Sequence, residues 1–157
     1  MSWIINGVPA HPLFVHLVIV LVPLAGIAAI FAAVWPKARR KIGVVMPILA
    51  TAGAFSAWFA VLAGEWLEDH VDSSDLLEKH TDLADKVMPW MVAFVVVAWA
   101  HWLWFKLLEA KVSARVGTIT GWVLAIALIA VSIASIYVVY VVGDTGAQAV
   151  WTGEFTK

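Results

Sequence analysis

The chain has 157 residues, of which 63% are hydrophobic and 13% charged, with a formal net charge of −1 and no cysteine. Soluble domains run at roughly 45–50% apolar and 25% charged, so a chain this short carries more oily surface than one water-solvated core can hide. Disulfides, thiolate metal sites and iron–sulfur clusters are excluded, and a charge near zero offers nothing to nucleic acid.

The first apolar run covers about 13–35 and holds no charge. His11-Pro12 precedes it, and proline suits the first turn of a helix. Pro23 is expected to kink the span. The run has no basic segment ahead of it and is longer than a signal-peptide core, so it reads as a retained helix. Lys37, Arg39, Arg40 and Lys41 follow. The second run covers about 44–64 and leads into Glu65, Glu68, Asp69 and His70. The third covers about 87–108, with Pro89 near its start. The fourth covers about 116–142 and meets Gly143-Asp144-Thr145-Gly146, which reads as a helix stop and turn. Each run has about 20 residues or more, enough to cross a hydrocarbon layer of roughly 30 Å. The expected fold is all-α: an integral-membrane four-helix bundle forming a single domain over 1–157.

Charge predicts the sides. Seven of the ten basic residues follow helices one and three, while ten of the eleven acidic residues lie on the opposite side. Lys and Arg mark the cytoplasmic loops, so both termini and the acidic segment are expected outside. Trp35, Trp102, Trp104 and Trp122 fall near the inner interface, and Trp66, Trp90 and Trp151 near the outer one, as interfacial indoles should. Small residues four apart (Ala25, Ala29 and Ala33; Ala50 and Ala54; Gly53 and Ala57; Gly117, Gly121 and Ala125) would let helices approach closely in lipid.

The segment between spans two and three is too polar for lipid. Ser74 is placed to cap a helix starting at Asp75. Leu76, His80, Leu83 and Val87 then recur on one helical face. An outer helical hairpin extension between helices two and three would bring His70 near His80.

Four of the five histidines, His11, His16, His70 and His80, map to the outer side among many carboxylates. His101 is alone in helix three. It lies about 15 Å deeper than His16 at 1.5 Å per residue, so one iron atom cannot join those two. A site joining His16 with His11, His70, His80 or Glu65 stays geometrically open. The structural alternative is that His11 caps helix one, His16 bonds across helices and the acidic segment is a solvated face. No His-Glu-x-x-His spacing, phosphate loop, nucleophile elbow or triad order is present, so nothing marks an enzyme.

Three segments resemble a bacterial family of four-helix membrane proteins, the domain-of-unknown-function family numbered 2231. They are Gly-Val-Pro-Ala-His-Pro-Leu-Phe-Val-His-Leu at 7–17, Leu-Leu-Glu-Lys-His-Thr-Asp-Leu-Ala-Asp-Lys at 76–86 and Gly-Asp-Thr-Gly-Ala-Gln-Ala-Val-Trp at 143–151. The resemblance implies a multi-pass protein of a bacterial plasma membrane and singles out His11, His16 and His80. Relatives joined to Rieske-type domains imply an electron-transfer setting. Asp144 stands where similar chains carry histidine, which speaks against a haem ligand there.

Two functions are expected from different classes. One is an accessory or structural subunit of a membrane redox or respiratory assembly, with the lipid bilayer and that complex as partners and a homo-oligomer open to it. The alternative is an electron-transfer protein in which His16, His80, His11 and His70 hold haem b, or His16, His70, His80 and Glu65 hold a transition-metal ion. A small-solute conduit ranks last, because no intramembrane charge lines a pore.

Overall fold

The computed structural model describes residues 3–152. A two-residue hairpin, β1 (Ile4–Ile5) with β2 (Val8–Pro9), precedes six α-helices. These are α1 (Ala10–Val34), α2 (Pro36–Ile42), α3 (Val45–Glu68), α4 (Asp75–Ala84), α5 (Val87–Leu103) and α6 (Ala114–Trp151). A π-helical turn at Trp104–Leu108 and a 3₁₀ turn at Glu109–Lys111 join the last two. Helices α1, α3 and α6, and the α4–α5 segment with its following turns, are long and apolar enough to cross a membrane.

The bundle is a closed ring in chain order. Helix α1 packs on α3 and α6, and α5 packs on the same two. Its closest seam follows from small side chains. Ala25 and Ala29 of α1 and Ala50, Gly53, Ala57 and Ala63 of α3 are buried. A Cβ added at Gly53 would lie 3.1 Å from Val22 Cγ2, so the α1 surface presses against the α3 backbone. Lipid is as apolar as leucine, and close van der Waals packing of this kind is what holds such helices together. The α1 stripe turns to Ala32 rather than Ala33, which is only half-buried. This is the drift of a 3.6-residue helix against a strict four-residue repeat. Gly117, Gly121 and Ala125 are all buried on α6.

Several polar groups within the ring are tied to backbone or to one another. Ser132 Oγ donates to the Leu128 carbonyl at 2.7 Å, and Ser135 Oγ to the Trp90 carbonyl at 3.4 Å. Trp99 Nε1–H donates to Thr51 Oγ1 at 3.0 Å, linking α5 to α3. Helix α1 continues unbroken through Pro23.

The N-terminal hairpin was not expected. Its turn is Asn6-Gly7, both with positive φ (51° and 80°), the residue pair that two-residue hairpins favour. Trp3 fastens it to the bundle. Its carbonyl accepts the Ala10 amide at 2.8 Å, and its ring meets Phe14 and Phe59 edge-on and tilted.

The segment between α3 and α5 begins its helix where the sequence suggested. The Ser74 hydroxyl accepts the Leu77 amide at 3.2 Å and caps α4, whose first turn carries Asp75 and Glu78. Helix α4 then lies along α6. Helix α6 itself departs from expectation. It runs 38 residues without stopping at Gly143–Gly146. At 1.5 Å per residue it is about 57 Å long, far more than a hydrocarbon layer of roughly 30 Å needs. The surplus is the surface that α4 covers. Asp144 accepts from Gln148 Nε2 at 2.8 Å, an i,i+4 bond that carries the helix past the glycines.

Because the Ser74 cap satisfies an otherwise orphan amide, Ser74→Ala is expected to cost about 1 kcal/mol, confined to α4. Hydrogen exchange of the Leu77 and Glu78 amides should speed up while α1 and α3 stay protected. Unchanged exchange at those amides would show that the cap is idle.

Candidate functional site

The N-terminal end of α1 and the C-terminal ends of α3 and α6 meet α4 around two histidines. His11 sits in the first turn of α1 and faces α3, where its Nδ1 lies 2.8 Å from the Ala60 carbonyl. A carbonyl only accepts, so Nδ1 carries the proton and Nε2 keeps its lone pair. The ring fits there because α3 has no side chain at Gly64. A Cβ at that position would lie 2.9 Å from His11 Nδ1.

His80 comes from α4, on the half-buried face shared with Leu76 and Leu83. Its Nδ1 lies 3.3 Å from Thr145 Oγ1 on α6. The Thr145 hydroxyl has the Val141 and Val142 carbonyls at 3.1 and 3.0 Å, and it gives its single proton to one of them. Its lone pair therefore accepts from His80 Nδ1–H, and Nε2 of this ring is also left with its lone pair. Again a glycine makes the room, since a Cβ at Gly146 would stand 2.9 Å from His80 Cε1.

The two rings face each other with centroids 6.3 Å apart and planes at 79°. Helix α4 carries Asp75, Glu78, Lys79 and Asp82 around His80, charges that hydrocarbon suits poorly. Burial pushes its imidazole below the ordinary 6.5, and the neighbouring His11 adds to that. The Val142 carbonyl and Glu68 pull the other way. The balance favours the neutral ring, the form whose nitrogen lone pair is available.

The other candidates lie apart from this pair. His16 is exposed on α1, with its Nδ1 at the Pro12 carbonyl of its own helix. It bonds within α1 and not across helices. His70 is exposed and stacks on Trp66 at 4.1 Å, with Nδ1 2.7 Å from the Trp66 carbonyl. The expected approach of His70 to His80 is replaced by that of His11, because α4 packs along α6. Glu65 is exposed on α3 beside Gly64. Among the described residues no three His, Asp or Glu side chains are gathered to hold a metal ion.

Sequence reasoning missed Thr145, Gly64 and Gly146. The available signal was a glycine inside a helical pattern, which often marks a close approach.

The family model described as "Predicted membrane protein (DUF2231)" matches residues 7–156, nearly the whole chain. No curated protein matches, and no solved structure does.

Thr145 is the link between His80 and α6. Thr145→Val keeps the shape and removes the acceptor, at an expected cost of about 1–3 kcal/mol for the stranded ring nitrogen. The melting midpoint in detergent should fall and α4 amides should exchange faster, while Thr145→Ser holds both near wild type. Equal behaviour of the Val and Ser variants would rule out the bond as a fastening.

Proposed function

This chain belongs to the DUF2231 family of predicted membrane proteins, and from that premise we propose that it carries a metal centre ligated by His11 and His80 at its outer end, as an electron-transfer component of a membrane redox or respiratory assembly. The observation behind this reading is the pairing itself. Two imidazoles from different helices face each other with both Nδ1 atoms engaged and both Nε2 lone pairs left.

Metal-ligating histidines characteristically donate the second ring N–H to a carbonyl or another fixed acceptor, which sets tautomer and ring orientation. The Ala60 carbonyl and Thr145 Oγ1 hold that position here. A ring separation of 6.3 Å suits one metal atom bonded at about 2 Å to a nitrogen of each ring. Imidazole without thiolate fits haem iron, copper, zinc or nickel. When bound, haem iron or copper supplies one-electron chemistry. The protein residues orient the two rings and, through neutral His80, keep a base ready without a proton to displace.

The sides of the membrane belong to the same proposal. The Lys37–Lys41 connection and the turns after α5 face the cytoplasm of a bacterial cell, and α4 and both termini face out. What supports this is the excess of Lys and Arg at one end of the bundle.

Purified protein loaded with haem, or with copper or zinc ions, should retain one equivalent, read as a Soret band or by metal analysis. His11→Ala and His80→Ala should each abolish retention, and Thr145→Val should weaken it about 10–100-fold. His16→Ala and His70→Ala should leave it intact. Retention that survives both His11→Ala and His80→Ala would place the metal elsewhere. Colourless, metal-free protein that copurifies with other subunits would favour an accessory role instead.

With no native cysteine, a single introduced thiol is unique. Asp72→Cys should react with a membrane-impermeant maleimide on intact cells and Lys41→Cys should not. The opposite pattern would reverse the sides.

A further inference from the structure

A second polar site lies at the other end of the bundle, independent of the outer pair. His101 is fully buried in the last turns of α5. It sits about 21 Å along the helix from Val87 at 1.5 Å per residue. Neither Nδ1 nor Nε2 has a hydrogen-bond partner from the chain, and the same holds for the buried Nε1 of Trp104, one turn later. Buried polar nitrogens without partners cost free energy, and an ionisable side chain at membrane depth is retained for a reason.

The surroundings identify the place. The Phe105 ring centroid lies 4.9 Å from that of His101, and the Arg39 guanidinium of α2 sits 3.5 Å over the same Phe105 ring. Helix α6 passes with no side chain at Gly121. A Cβ there would lie 3.2 Å from Phe105 Cζ and 4.0 Å from Trp104 Nε1. At this point the backbone changes to the π-helical turn Trp104–Leu108. Such turns are frequent at functional sites.

We propose that His101 and Trp104 form an internal hydration site at the α2 end of the bundle, closed off by Arg39 over Phe105. The chemistry selects the guest. A neutral imidazole offers one donor and one acceptor, and the indole offers a second donor. The two ring nitrogens point apart, so the guests must between them accept and donate, and be small enough for a packed interior. Water does this, and buried waters typically make two to four such bonds. A carbonyl compound or an anion leaves the imidazole acceptor unmet.

The test uses the full chain in detergent micelles with ¹⁵N-labelled tryptophan and histidine. The Trp104 indole proton should show a cross-relaxation peak to water, and the His101 nitrogen shifts should be those of a neutral, hydrogen-bonded ring. In His101→Phe the water peak should vanish and the melting midpoint should fall, because bound water loses partners. A dry site behaves in the opposite way, since a phenyl ring of similar shape removes two unmet nitrogens. Absence of the water peak in wild-type protein, or a midpoint unchanged or raised in His101→Phe, overturns the proposal. The wild-type spectrum decides the matter should the variant not fold.

Discussion

Hydrocarbon gives helices no hydrophobic reason to prefer one another, so everything in this bundle rests on how closely two backbones can approach. The α1–α3 seam supplies that closeness. Ala25, Ala29, Gly53 and Ala57 leave nothing standing between the helices, and Val22 touches the Gly53 backbone. Large side chains then fill what remains. Met46, Phe94 and Leu128 close the core on one level, and Val22 and Met91 on the next. Where the chain leaves the lipid, water competes again and directional bonds take over. The His11–His80 pair lies at the α4 end of the bundle, drawing on α1, α3, α4 and α6 at once.

That placement explains the chemistry available to it. A site in the middle of the spans would have to meet every polar atom from within the protein. At the α4 end of the bundle, each ring has a fixed partner at Nδ1 and keeps Nε2 for another. The glycines on α3 and α6 are the steric counterpart of the histidines. Each ring occupies the volume that a side chain on the facing helix would take.

Much of the architecture was legible because it is written in one-dimensional patterns. Long uncharged runs disclose four long apolar helices, and Ser74 discloses the start of α4 through its own hydroxyl. The family could be recognised from three short segments. Two readings went astray for a common physical reason, and one signal went unread. Gly143–Gly146 has strong local turn character, yet helix continues because α4 packs on it and Thr145 and Gln148 bond inside it. His70 is near His80 in sequence, but the path of α4 along α6 gives the partnership to His11, 69 positions from His80 by number. Asn6-Gly7 was a readable hairpin signal, overlooked because the segment is so short. Local propensity was outvoted by tertiary packing in the first two cases, and packing partners are not visible in spacing.

Helix α6 has one further consequence. Its buried positions, Gly117, Gly121, Ala125, Leu128, Ser132, Ser135, Val139 and Thr145, run as a stripe from one end of the bundle to the other. Several meet a neighbour from another helix or turn: Gly121 an aromatic ring, Leu128 and Val139 core side chains, Ser135 a carbonyl and Thr145 a histidine. A rod keyed at so many points has no free azimuth. Twisting it by one residue, about 100°, would unseat both polar ends together, so the two faces of the membrane are geared to a single shaft.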